Sequence, residues 1–252
     1  MNKSKYLMKN MGILTISNFS SKILVFLLVP LYTSVLSTTE YGSYDLAVSI
    51  ATLLYPILTL NIVDAVMRFS MDQTYDKKYI AYIGMKFVFL SIVIFGIGMY
   101  MLNITGLWSN INGLELFFFF YYISYVFNQF LIQFAKGLEK VIDMGVAGVV
   151  STVVTIASNV LFLLVFKWGL IGFFFANILT QLMSCLYLAV RIKVWKYIDF
   201  KCSNKQLQKE MLLYSIPLIV TTVGWWVNST ADKYVVVFML GFASNGVLSL
   251  GY

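Results

Sequence analysis

The chain has 252 residues, of which 60% are hydrophobic and 12% charged, with a net charge of +7 and 21 Phe against no His. Soluble domains carry about 25% charged residues, so half that share leaves too little polar surface to cover a chain of this length, and a water-solvated globule is excluded. The lack of His removes histidine general bases, Ser-His-Asp triads and His-ligated metal sites. Cys185 lies in an apolar stretch and Cys202 in a basic loop with no C-x-x-C, a spacing that predicts neither a disulfide framework nor a zinc site.

A bilayer core about 30 Å thick needs about 20 apolar residues per helix. Runs of that size fall at roughly 11–36, 43–69, 79–101, 115–135, 144–166, 169–192 and 212–240, which predicts an all-α, polytopic membrane protein. The first run is too long for the apolar region of a signal peptide, and no A-x-A-like cleavage site follows it. Fourteen of the 18 Lys and Arg residues, from Lys3 to Lys209, fall at one set of span ends. The opposite set carries Lys167 alone, and Lys22, Lys86 and Lys233 lie within spans. By the positive-inside rule the N-terminus is expected in the cytoplasm, in a multi-pass protein of the cytoplasmic membrane. Charge distributed this way obeys insertion rules, and nucleic acid is not an expected partner.

The connection 193–210 interleaves Val194, Trp195, Tyr197, Ile198 and Phe200 with Lys193, Lys196 and Lys201. It suits a segment on an anionic leaflet, or an ordinary basic loop. Ser203-Asn204-Lys205-Gln206 reads as a capping box opening the seventh helix. The expected organisation is a six-helix bundle over 1–192, an amphipathic cytoplasmic linker over 193–210, and the start of a second bundle over 211–252. Shifting the sequence by 204 lays Leu36-x5-Gly42 on Leu240-x5-Gly246 and Leu14 on Leu218, a faint internal repeat of the kind transporters carry. Tyr252 falls where the next helix is expected to enter, so the chain reads as a truncated fragment.

Asn18 and Lys22, then Val29-Pro30-Leu31-Tyr32-Thr33, Glu40-Tyr41-Gly42-Ser43-Tyr44-Asp45-Leu46, Leu54-Tyr55-Pro56-Ile57 and Ala65-Val66-Met67-Arg68-Phe69 resemble the opening of Wzx-like polysaccharide flippases. Tyr214-Ser215-Ile216-Pro217-Leu218, Trp225-Trp226 and Ala231-Asp232-Lys233-Tyr234 resemble that family's seventh helix, with Lys233 where Arg is frequent. The resemblance places the chain in the polysaccharide-transporter branch of the multidrug/oligosaccharidyl-lipid/polysaccharide (MATE/MOP) superfamily. It implies two six-helix bundles that move a lipid-diphosphate-linked oligosaccharide across the membrane. The implied partners are that lipid-linked glycan, membrane lipid, and the polymerase or glycosyltransferases of the same pathway. No cofactor, metal or catalytic residue is expected.

Charges inside spans need a reason. A lysine at mid-membrane costs about 2.5–3.5 kcal/mol on insertion scales, so Lys22 is expected to face a wet cavity unless it snorkels. Thr15, Asn18 and Lys22 share one helical face; Thr221, Trp225, Asn228 and Asp232 share another, with Lys233 adjacent. Two such stripes are expected to line one cavity whose cations neutralise a diphosphate. Lys233 is left open between an acid partner, the ligand, and outward snorkelling. Arg68 is expected to pair with Asp64 one turn earlier or to act where a phosphate enters, and Lys86 to snorkel. The candidate substrate-binding set is therefore Lys22, Asn18, Arg68, Lys233, Asp232 and Asn228.

The uncharged stripes Tyr121–Tyr125–Asn128–Gln129, Thr152–Thr155–Asn159 and Asn177–Gln181–Ser184 fit sugar binding or interhelical glue. Pro30, Pro56 and Pro217 are expected to bend their helices. Glu40-Tyr41-Gly42 is expected to form an outer turn in which Gly42 supplies φ freedom. Asp45 beyond it is read as structural, or as an outer-gate or cation-sensing carboxylate. Two other functions stay in view. A MATE-like drug or cation exporter would want an acid-rich cavity, and a membrane-embedded glycosyl- or acyltransferase would want a carboxylate or histidine cluster at a membrane face.

Overall fold

The computed structural model describes residues 28–104, 113–199 and 204–251, and every regular element among them is helical. In chain order these are α1 (Val29–Val35), α2 (Thr38–Leu58), α3 (Ile62–Met71), α4 (Lys77–Ile104), α5 (Glu115–Gly137), α6 (Val141–Asn159), α7 (Gly169–Ile192), α8 (Lys205–Leu240) and α9 (Phe242–Gly251). A π-helical stretch, Val160–Val165, prolongs α6, and a 3-10 turn, Val194–Lys196, follows α7. Lys77–Ile104, Glu115–Gly137, Val141–Val165, Gly169–Ile192 and Lys205–Leu240 are each long and apolar enough to cross a bilayer. The α2–α3 pair passes the same test as one broken span, so the protein is a multi-pass membrane protein. Most of the first expected span, with Asn18 and Lys22, lies outside the described residues; Pro30 stands in the first turn of α1.

The expected span 43–69 is two helices, bent by 60°. Pro56 withdraws an N–H from the ladder near the end of α2, and Leu60 and Asn61 take left-handed backbones at φ 52° and 50°. The Asn61 N–H donates back to the Pro56 carbonyl at 2.8 Å, closing the broken turn. The start of α2 also corrects the sequence. Ser37 Oγ accepts the Glu40 N–H at 3.2 Å while Glu40 Oε2 accepts the Ser37 N–H at 2.8 Å. This capping box begins the helix before Gly42, so Glu40, Tyr41 and Gly42 are helical and Gly42 supplies no φ freedom.

The helix α5 is central, touching α3, α4, α6 and α7. Phe118, Tyr122, Val126, Phe130 and Phe134, each one turn from the next, are fully buried along it, and Tyr122 stacks on Phe95 of α4 with ring centroids 3.9 Å apart. Lipid is as apolar as Leu, so such packing and interhelical hydrogen bonds hold the bundle rather than exclusion from water. Ser124 Oγ of α5 donates to Gln181 Oε1 of α7 at 3.1 Å, and Thr155 of α6 meets Thr180 of α7 at 3.0 Å. Asn159 and Asn177 donate to carbonyls of their own helices. Tyr121 and Tyr125 pack against Tyr44 and Tyr55 of α2. Ser124, Gln181, Thr155 and the two tyrosines thus join neighbouring helices, whereas the described bonds of Asn159 and Asn177 stay within their own.

The ends of α3, α5 and α7 and the starts of α4, α6 and α8 share the basic end of the bundle. There Arg191 Nε pairs with Asp143 Oδ1 at 2.8 Å. The helix α8 starts inside the range expected for the linker, and its cap is Asn204, whose side chain accepts the Leu207 N–H at 3.0 Å. Ser203, on which the expected capping box depends, lies outside the described residues; Gln206 Nε2 donates forward to Glu210 Oε1 at 2.9 Å. Leu207, Met211 and Ser215 are buried against the bundle, while Val220, Trp225 and Phe238 are 77%, 71% and 92% exposed. After Gly241, at φ 85°, α9 turns back onto α2. The helix after the expected seventh span thus begins at Phe242, ahead of the Tyr252 position at which the sequence places its entry.

Candidate functional site

Among the described residues the charged candidates lie toward opposite ends of α8: Arg68, on α3, packs beside its first half, and Asp232 and Lys233 stand in its last turns. At the basic end, the Arg68 guanidinium lies over the Tyr214 ring, 5.6 Å from its centroid. The expected Asp64–Arg68 pair is not formed. Asp64 instead accepts Asn61 Nδ2 at 2.9 Å and Gln133 Nε2 at 3.0 Å, because the left-handed Asn61 sets its amide beside the first turn of α3. Arg68 is exposed and makes no ion pair among the described residues. With Phe69, Met71, Asp72 and Tyr75 it lines a pocket of about 430 Å³. The Thr74 N–H bonding to the Asp72 carboxylate holds that acid below its usual range. The Tyr75 hydroxyl donates to Glu210 Oε2 at 3.1 Å, which raises the phenol above its usual value and ties the α3–α4 turn to α8. Lys86 Nζ donates to Gln208 Oε1 in the first turn of α8 at 2.9 Å.

At the opposite end Lys233 has an acid partner that its own helix does not supply. Its Nζ lies 2.9 Å from Asp45 Oδ1 of α2, with the two side chains 18% and 17% exposed. Asp45 Oδ2 accepts Ser249 Oγ at 2.8 Å and Asn245 Nδ2 at 3.4 Å, both from α9. One carboxylate therefore joins α2, α8 and α9. Asn245 Nδ2 also donates to the Gly42 carbonyl at 3.1 Å, and Trp226 Nε1 donates to the Ser49 carbonyl at 3.1 Å and Thr52 Oγ1 at 3.2 Å. The Tyr234 hydroxyl is buried beside this cluster with no hydrogen-bond partner among the described residues.

The crossing of α2 and α9 explains how a half-buried carboxylate collects these donors. A Cβ on Gly42 would run into the Phe242 carbonyl oxygen, and one on Gly246 into the carbonyl oxygen of Thr38, with its carbon at 2.8 Å. The backbones touch, as at small-residue crossings in membranes. The contact is reciprocal under the 204-residue shift: Gly42 meets Phe242 as Gly246 meets Thr38, and Ser249 stands in the register of Asp45. Reciprocity of this kind marks a two-fold relation between matching surfaces.

Lys233 and Arg68 are not brought together. The Arg68 guanidinium sits over Tyr214, nineteen residues below Lys233 on α8, or about 28 Å at the helical rise. Thr221, Gly224, Trp225 and Asn228 line a shallow groove of about 300 Å³ on the exposed face of α8, where Asp232 is also exposed. One helical step round, Lys233 turns toward α2. The Asp232 carboxylate accepts the Lys233 backbone N–H at 2.9 Å and does not touch its ammonium. Sequence reasoning left Asn245 and Ser249 unassigned; the repeat register, which sets Ser249 on Asp45, is the signal that points to the latter.

A family model described as polysaccharide biosynthesis protein matches residues 7–252. The chain belongs to this family. No curated protein matches it in sequence. Among solved structures, an inward-facing multidrug resistance MATE family transporter of the MOP superfamily is 14% identical with a TM-score of 0.64, over 96% of this chain and 60% of that one. A MATE variant with one proline-to-alanine substitution (15% identical) and MATE in a bent conformation (16%) both give TM-scores of 0.58, over 95% of this chain and 56% of theirs. The helical arrangement is therefore that of MATE transporters, and the chain spans about three-fifths of the length of the structures it resembles.

Proposed function

We propose that this chain is part of a transporter of the cytoplasmic membrane, N-terminus inside, that flips a lipid-diphosphate-linked oligosaccharide for cell-surface polysaccharide synthesis. The family match over residues 7–252, on helices arranged as in MATE transporters, carries the reading. Polysaccharide assembly requires a polar glycan on a lipid carrier to pass the bilayer, a step of movement rather than bond chemistry. Cationic side chains toward each end of α8 suit an anionic head group: Arg68, unpaired by any acid among the described residues, toward the basic end, and Lys233 toward the other. Lys22 and Asn18 are proposed to face the same path from the first helix, and Asn228 and Asp232 to line it from α8. The lipid tail stays in the bilayer while the head group crosses.

The test is glycan export in the full-length protein carrying Lys22→Ala, with membrane insertion checked separately. Loss of export with normal insertion is expected; normal export would remove Lys22 from the site. A drug or cation exporter is the second reading, favoured by one observation: Lys233 is neutralised by Asp45, which leaves Asp232 as an exposed carboxylate on the groove face of α8. Efflux of a lipophilic cation that disappears in Asp232→Asn, with glycan export intact, would establish that reading instead.

A further inference from the structure

We propose that Asp45 is the resident counter-anion of Lys233, and that an incoming diphosphate displaces it, so that ligand arrival and release of α2 from α8 are one event. The inference rests on the flippase reading and assigns Asp45, Asn245 and Ser249 a part in it.

The asymmetry of the cluster argues for exchange rather than a permanent bridge. Asp45 retains donors that do not come from Lys233: Ser249 Oγ at 2.8 Å and Asn245 Nδ2 at 3.4 Å, both on Oδ2. When the lysine leaves Oδ1, the carboxylate is not stranded, which is the usual cost of breaking a buried pair. Neither partner is sealed, at 18% and 17% exposure, so a solute phosphate can reach the ammonium. Lysine is a point charge on a flexible four-carbon stem with no fork geometry to lose on changing partners. The groove-facing stripe of Asn228 and Asp232 begins one residue away on the helix surface. A cation without a competitor would hold a diphosphate in place; a carboxylate waiting at 2.9 Å takes the lysine back and lets the anion go.

The exchange couples two ends of a linkage. Lys233–Asp45 is the ion pair that fastens the outer part of α8 to α2 among the described residues, so whatever removes the lysine loosens that junction, and by reciprocity whatever loosens it frees the lysine for anion.

The experiment is binding of farnesyl diphosphate to the purified protein, with farnesol as the uncharged control. Asp45→Asn removes the competitor and is expected to tighten binding about tenfold. Lys233→Met weakens it by a similar factor, and Asp45→Asn added to Lys233→Met changes nothing further, since the effect of Asp45 runs through the lysine. Ser249→Ala, which deprives Asp45 of its other short donor and so increases its hold on Lys233, weakens binding a few-fold. Unchanged affinity in Asp45→Asn, or tightening that persists in the Lys233→Met background, overturns the proposal and leaves the flippase reading standing. Should Asp45→Asn not fold, unchanged affinity in Ser249→Ala overturns it equally. A wild-type protein that does not prefer the diphosphate to farnesol also overturns it, and the Lys22→Ala export assay then decides the broader reading on its own.

Discussion

Substituting Gly42 tests the α2–α9 crossing, on which the Asp45 cluster depends. A Cβ at Gly42 meets the Phe242 carbonyl oxygen inside any tolerable contact and stands 2.9 Å from the Gly246 nitrogen. Both obstacles are backbone, so no rotamer change relieves them and the helices must part. Overpacking of this kind costs about 1–3 kcal/mol, and a rigid backbone obstacle puts it in the upper half of that range. Parting the helices also lengthens the bonds of Asn245 to the Gly42 carbonyl and of Ser249 to Asp45. Alanine gains helix propensity of about 1 kcal/mol over glycine, so the comparison needs a matched control. Gly98 in α4 supplies it, since a Cβ there meets nothing within 4 Å. At roughly 2–4 °C per kcal/mol, Gly42→Ala is expected to melt several degrees below Gly98→Ala in the same detergent. Equal melting temperatures for the two variants would refute the close crossing. Gly246→Ala behaves as Gly42→Ala, and the double variant falls short of the sum because both substitutions separate one contact.

Asp64→Ala leaves the Asn61 and Gln133 amide donors without their acceptor, and a loss of about 1–3 kcal/mol is expected in thermal unfolding; a wild-type melting temperature would show that the carboxylate does not brace the α2–α3 break. Trp226→Phe keeps an aromatic ring but removes the pyrrole half of the indole with the N–H bonded to Ser49 and Thr52, so a loss of at least about 0.5–1.5 kcal/mol is expected, and no change would mean that α8 is held to α2 without it. The depressed Asp72 carboxyl favours the folded turn above its unfolded pKa, and that contribution fades as pH falls through its lower, folded value. The Thr74 amide proton shift, followed by NMR through the acid range, should titrate below the usual carboxylate range in the wild type and lose that step in Asp72→Asn.

The sequence by itself determined the membrane class and nearly every span, because the need for about 20 apolar residues per crossing is a local demand that composition meets segment by segment. It also placed the basic residues at one end and carried the 204-residue register, in which Gly42 answers to Gly246. Tertiary structure decided which partner each charge takes. Asp64 and Arg68 stand at ideal helical spacing, yet the left-handed Asn61 and the neighbouring Gln133 claim the acid, and Tyr214 of α8 receives the guanidinium. Lys233 sits beside Asp232 in the chain but answers to Asp45, 188 residues away, since adjacent helical residues point about 100° apart. Gly42 looked like a turn former because a glycine in an unaligned sequence does not reveal whether its freedom or its size is needed. Only the approach of a second backbone shows that here it is size.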